Sequence, residues 1–269
     1  MKLGMLDGKP AKVSQVEGKW QAQPILGADD ALTASIAEVT ENQFGAAQPF
    51  DVKDLEIPVP VPQQIFAVGM NYVDHSKEIH IELPKAPSIF TKFSSSLTSA
   101  NTAVAVHGDQ TDWETELVVV INQDGRNISK AEAENYVAGY MVGLDISDRQ
   151  VQFLNATPQF SLSKSFAGFS PIGPWLTTPD EVNDLSKLQL TTHVNGETMQ
   201  SAHLDQMIFD VPALLEYLSS IVELKAGDLI FTGTPSGVGN GRRPQVYLKR
   251  GDVLESHIDG LGDLKIKMI

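Results

Sequence analysis

Two glutamates one residue apart, Glu114 and Glu116, run straight into the apolar stretch Leu117-Val118-Val119-Val120-Ile121. That stretch is β-branched and long enough to form a fully buried strand. Side chains at i and i+2 of a strand share a face, so the two carboxylates stand side by side, roughly 6–7 Å apart along the backbone. Like charges leading into a core are unfavourable unless something neutralises them. A hard divalent cation, which takes several oxygen ligands, does so most simply. For Glu-x-Glu alone, a solvated strand end with a polar second face is the competing reading.

Four other segments carry reactive residue types. His75 and Glu78 are three apart in Gly69–Glu78, so on a helix they share a face, and the carboxylate can orient the imidazole as a general base. An ordinary exposed ion pair is the alternative. Asp145 follows the apolar run Val137–Leu144, where a third metal carboxylate would sit, and Arg149 is placed to neutralise an acidic site or grip an anion. Helix N-capping competes for Asp145. Lys164 is a lone cation in Phe160–Phe166, able to hold a substrate oxygen or donate a proton, or else a surface lysine. Finally, Leu229–Phe231 opens into Thr232-Gly233-Thr234-Pro235-Ser236-Gly237, where free N–H groups of a glycine turn and hydroxyls could cradle a carboxylate. No Gly-Lys-Ser/Thr follows it, so it is not a nucleotide loop. Arg242 and Arg243 lie just beyond, either on a loop meeting a distal anionic group or on a surface turn.

These residues need a β-rich frame. Strands are expected at Ile65–Val68, Ser88–Phe90, Ala103–Val106, Trp113–Ile121 and Val137–Leu144, after Ala226-Gly227-Asp228, and after Arg250-Gly251-Asp252. Asn195-Gly196 marks a hairpin within Leu188–His203, and Gly260-Leu261-Gly262 another near the end. Helices are sparse: Tyr72–His80, Lys130–Asn135, Arg149–Leu154 and Val211–Ile221. Before them come a hairpin, Ala11–Val16 with Lys19–Gln23, and a helix over Asp29–Val39. The proline-alternating Ile57–Pro62 is an extended connector. The pattern is that of a mainly β, α+β protein with a small N-terminal domain, 1–58, and a catalytic domain, 59–269.

The chain has 269 residues, no cysteine and a formal charge of −14. Thiol nucleophiles, disulfides and thiolate metal sites are excluded, and nucleic acid and anionic membranes are poor partners for so acidic a chain. Neither a signal-type apolar segment nor a membrane-length run occurs, and a cytoplasmic location is the default expectation.

Together, from about Gln64 to Ile269, these segments resemble the fumarylacetoacetate hydrolase family. The resemblance is carried by Asn71-Tyr72-x-x-His75-x-x-Glu78, Pro87-x-x-Phe90-x-Lys92, Glu114-x-Glu116, Gly139-Tyr140 with Asp145-x-Ser147-x-Arg149, Lys164-Ser165-Phe166, Pro171-x-Gly173-Pro174-Trp175, Val194-Asn195-Gly196 and Thr232-Gly233-Thr234-Pro235. It implies a mixed β-roll and a homodimer. It implies Mg²⁺, or Mn²⁺ or Ca²⁺, held by Glu114, Glu116 and Asp145. His75 and Glu78 would be the catalytic dyad and Lys164 the active-site lysine. Arg149, Gln152, Thr234 and the Gly233 turn would hold a small oxo-acid substrate. Asp148, Gln150, Ser163 and Ala167 depart from residues common in the family, which blurs the subfamily. The expected reaction is C–C hydrolysis of a 2,4-dioxo acid. Oxaloacetate decarboxylation, or isomerisation of 2-hydroxyhepta-2,4-diene-1,7-dioate or 5-carboxymethyl-2-hydroxymuconate, are alternatives for the same site, and a non-catalytic metal and organic-acid binder is a third.

Overall fold

The apolar β-branched runs become the centre of the molecule, and the polar turn sequences become its edges. The computed structural model describes residues 1–37, 39–74 and 84–269. In chain order its strands are β1 (Lys2–Leu6), β2 (Lys9–Val16), β3 (Lys19–Pro24), β4 (Gln48–Pro49), β5 (Ile65–Gly69), β6 (Ser88–Thr91), β7 (Leu97–Ser99), β8 (Asn101–Val104) and β9 (Thr111–Asp112). There follow β10 (Thr115–Ile121), β11 (Val137–Leu144), β12 (Ser147–Asp148), β13 (Ser170–Thr177), β14 (Gln189–Val194), β15 (Glu197–His203), β16 (Leu229–Phe231), β17 (Val253–Ile258) and β18 (Gly262–Met268). The helices are α1 (Ala31–Ile36), α2 (Arg149–Gln152), α3 (Phe160–Ser163) and α4 (Val211–Ile221). This is the mainly β, α+β architecture that the patterning predicts.

One sheet runs β4-β3-β2-β1-β13-β11-β10-β16-β5-β6 with β7 alongside β13, and a second runs β15-β14-β17-β18-β8. Strand β10 is buried along its whole length because both its faces are covered. Leu117, Val119 and Ile121 pack with Leu254 and Ile266 of the second sheet and Leu214 of α4. Val118 and Val120 point the other way, among Leu3, Leu32 and Met141. Emptying such a position by Leu→Ala substitution typically costs about 2–5 kcal/mol. Glu116 shares the face of Val118 and Val120, at the strand's first turn of the pleat.

The turn signals hold. Glu17 and Gly18 have φ of 49° and 76°, and Asn195 and Gly196 of 52° and 82°, the paired positive φ of tight hairpins. β1 pairs with β13, so strand pairing crosses the 58/59 boundary and the N-terminal strands extend the main sheet.

Among the described residues the helices are shorter than expected, α4 excepted. Asp30 caps α1 by accepting from Thr33 N at 2.7 Å, but the helix ends at Ile36, and Val39 packs beside the core outside any helix or strand. Ala133–Tyr136 is a single 3₁₀ turn where Lys130–Asn135 reads as a helix. The helix after Arg149 stops at Gln152. Most of the helix expected over Tyr72–His80, with His75 and Glu78, lies outside the described residues. Among the described residues no helix is long and apolar enough to cross a membrane.

Candidate active site

Antiparallel pairing of β10 with β11 sets Thr115 opposite Leu144. One step further out, Glu114 and Asp145 face each other, and the Asp145 N–H donates to the Glu114 carbonyl at 2.8 Å. Glu116, on the diagonal, completes a group in which one carboxylate oxygen from each of the three residues lies within 4.8 Å of the other two. All three side chains are buried. The helix cap that competed for Asp145 is Asp148, which accepts from Val151 N at 2.9 Å.

Among the described residues three cations surround this group. Lys164, at the C-terminal end of α3, donates from Nζ to Glu114 Oε2 at 2.6 Å, Asp145 Oδ2 at 2.7 Å and Ser147 Oγ at 2.8 Å. Arg149, the first residue of α2, reaches Glu114 Oε1 at 2.6 Å, Asp112 Oδ2 at 2.9 Å and Gln152 Oε1 at 2.7 Å. Lys92 is fully buried just after β6, and its Nζ donates to Asp145 Oδ1 and to the carbonyls of Lys164 and Phe169. Burial pushes the Lys164 ammonium down, but Asp145 and Glu114 together hold its pKa above the ordinary lysine value. For Lys92 burial prevails over the attraction of Asp145, and its pKa is lowered. Glu116 is held well above the usual carboxylate range by burial, then by Asp145 and Glu114.

Among the described residues the donor set, three close and buried carboxylates, suits a hard divalent ion. Among the described residues Lys92, Lys164 and Arg149 face four carboxylates (Asp112, Glu114, Glu116 and Asp145), and a bound cation would favour the charged form of Glu116 that burial and its neighbours oppose.

Arg149, Gln152, Lys164 and Thr234 line one cavity of about 460 Å³, with Glu114 at its polar end. Gly233 sits behind it. Its N–H donates to Glu116 Oε2 at 2.8 Å, so the glycine turn holds a protein carboxylate. At φ 95°, a Cβ there would come within 2.8 Å of Asn71 Cβ and 2.9 Å of the Val68 carbonyl, which only glycine avoids. Thr234 Oγ1 donates to the Thr115 carbonyl at 2.8 Å. Arg242 and Arg243 bond to backbone carbonyls, Met199 and Arg242 respectively, as a turn would have them. His75 and Glu78 lie outside the described residues.

Sequence reasoning missed three members. Lys92 ends the Pro87–Lys92 motif, yet nothing local signals its partners, 53 and 72 residues away. Asp112 was legible: Asp112, Glu114 and Glu116 continue one i, i+2, i+4 series. It accepts from Arg149 and from the N–H groups of Trp113, Gly239 and Asn240, pinning the 237–241 loop. Gln200 of β15 donates to Thr234 Oγ1 at 2.8 Å and accepts from Thr192 Oγ1 at 2.8 Å, tying the second sheet to the site.

Lys92→Met is expected to destabilise the protein in EDTA by about 3–5 kcal/mol, because Asp145 loses a buried counter-charge. Urea unfolding measures it; an unchanged midpoint would show that Lys164 alone neutralises Asp145.

Residues 64–269 match the family described as fumarylacetoacetate (FAA) hydrolase C-terminal. The chain is 41% identical over 207 residues to the mitochondrial oxaloacetate tautomerase fahd2 of Xenopus laevis, covering 76% of this chain and 65% of that one, a little under two thirds of its length. It is 42% identical over 243 residues to a 2,4-didehydro-3-deoxy-L-rhamnonate hydrolase of Sphingomonas sp. (strain SKA58), covering 86% of this chain and 85% of that one. The solved fumarylacetoacetate hydrolase of Exiguobacterium antarcticum superposes with a TM-score of 0.85 at 31% identity, over 100% of this chain and 99% of that one.

Proposed function

Because the chain belongs to the fumarylacetoacetate hydrolase family, we propose that it is a metal-dependent hydrolase that cleaves a carbon–carbon bond in a 2,4-dioxo acid. The observation that carries this reading is the buried Glu114–Glu116–Asp145 group, whose Glu114 lines a cavity together with Lys164 and Arg149. Glu114, Glu116 and Asp145 would hold Mg²⁺, with Mn²⁺ or Ca²⁺ as other hard ions of suitable demand. Bound there, such an ion supplies electrophilic stabilisation of enolate charge.

The chain's own residues do the rest. Arg149 and Gln152 orient the oxo acid, and the Thr234 hydroxyl would hold its terminal carboxylate by turning from the Thr115 carbonyl to which it donates. His75, aligned by Glu78, takes a proton from water, whose oxygen bonds to the distal carbonyl carbon. Lys164 stabilises the oxyanion that develops there. The bond between carbons 3 and 4 then breaks, its electron pair passes into the enolate of the pyruvate half, and protonation at carbon completes the products, a carboxylate and pyruvate. Likeness to a hydrolase whose substrate is named a 2,4-didehydro-3-deoxy acid, along nearly its whole length, supports the reading. The homodimer implied by the resemblance and the cytoplasmic location expected from the sequence belong to it as well.

A second reading is favoured by the likeness to oxaloacetate tautomerase: the same site moving a proton, or releasing carbon dioxide from oxaloacetate, with no attacking water. Ultraviolet absorbance separates the two. Loss of the acetylpyruvate signal with Mg²⁺, stopped by excess EDTA, is the expected result. Metal-dependent loss of oxaloacetate alone would replace hydrolysis with the second reading.

A further inference from the structure

Resting on the reading of this cavity as a 2-oxo-acid site, we propose that its far half selects substrates whose distal end is apolar, an acyl chain or ring without a second carboxylate. The polar and apolar ends meet at Lys164, whose Nζ lies 5.3 Å from the centre of the Phe90 ring. Phe160 stacks on Phe90 at 5.5 Å with planes 27° apart, and both rings line the cavity. Ile89, Phe153 and Pro158 continue the wall. Among the described residues lining the cavity the cations are Lys164 and Arg149, and both are already bonded to carboxylates. Arg242 and Arg243 are turned to backbone carbonyls.

A distal carboxylate lying against these rings would lose hydration and find no unpaired cation among them. A distal methylene, by contrast, gains from leaving water, about fourfold in binding for each one buried. The wall therefore rejects the dioate and favours the monocarboxylate of the same length.

The test is calorimetric titration of the Mg²⁺-loaded protein with 2-oxohexanoate and with 2-oxoadipate. They have the same chain length and differ in a terminal methyl against a carboxylate. Neither carries the 4-oxo group that hydrolysis needs. The expected result is binding of 2-oxohexanoate about tenfold tighter or more. Equal or tighter binding of 2-oxoadipate overturns the proposal. Phe160→Arg is expected to reverse the order, and a folded variant with the original order also overturns it. Should that variant fail to fold, Phe160→Ala serves: it is expected to weaken 2-oxohexanoate about fivefold or more and leave 2-oxoadipate nearly unchanged. Equal losses for both acids count against the proposal.

Acetylpyruvate turnover in the same preparation keeps the two readings apart. Selectivity for the monocarboxylate without turnover removes the hydrolase reading alone. Turnover with a preference for 2-oxoadipate removes this inference alone. If neither acid binds, the 2-oxo-acid reading falls and takes this inference with it.

Discussion

Glu116→Gln is expected to abolish measurable Mg²⁺ binding and to lower kcat/KM by about a thousandfold, the effect of losing several kcal/mol of electrophilic stabilisation. Glu116 is 1% exposed, and its Oε2 accepts from the Gly233 N–H at 2.8 Å. An amide keeps the volume but removes one of the three ligand charges, and its carbonyl oxygen can still accept from that N–H donor. The fold should tolerate the change. Burial and two neighbouring carboxylates already disfavour charge at Glu116, so a neutral isostere relieves repulsion that Lys164 and the Gly233 N–H offset only in part. In EDTA the thermal midpoint is therefore expected to stay level or rise, while the increase that Mg²⁺ gives the parent protein disappears. Calorimetry of Mg²⁺ binding and a thermal scan check both parts. Undiminished Mg²⁺ affinity would remove Glu116 from the ligand set, and a collapsed midpoint would make its role architectural.

Lys164→Met separates chemistry from metal binding. A turnover loss of about a hundred- to a thousandfold is expected, the scale of removing one donor to a developing oxyanion. Mg²⁺ affinity should hold or tighten, because the Lys164 ammonium competes for Glu114 Oε2 and Asp145 Oδ2, at 2.6 Å and 2.7 Å. In EDTA the variant loses a buried counter-charge to both, a loss of about 3–5 kcal/mol on the usual scale for a broken buried pair. Saturating Mg²⁺ is expected to restore most of it by mass action. Single-turnover kinetics, Mg²⁺ titration and thermal scans in EDTA and Mg²⁺ read these three effects. An inert variant that also fails to bind Mg²⁺ would show that Lys164 builds the metal site and would leave its part in the reaction without support.

Local pattern alone determined a good deal here. Glu114 and Glu116 before a β-branched run, Asp145 and Arg149 after another, and Lys164 alone among uncharged residues are chemical contrasts within a few positions of chain. The hairpin turns at Glu17-Gly18 and Asn195-Gly196 are likewise local, since positive φ is a demand on single residues. Helix ends were less legible. A short helix is held by packing more than by propensity, and α1 stops at Ile36, with Ala37 already extended.

Tertiary structure alone decided which of these residues meet. The register that sets Thr115 against Leu144 brings Glu114 opposite Asp145, and no periodicity in either strand specifies it. It also supplied Lys92, buried against Asp145 across 53 residues, and Gln200, which reaches the Thr234 loop from the other sheet. β1 joining β13 decided that the N-terminal strands extend the main sheet. The physical reason is common to all of them. Composition and spacing state what a side chain can do and which face of its own element it occupies, whereas its partner depends on how distant elements pair and pack to bury their apolar faces.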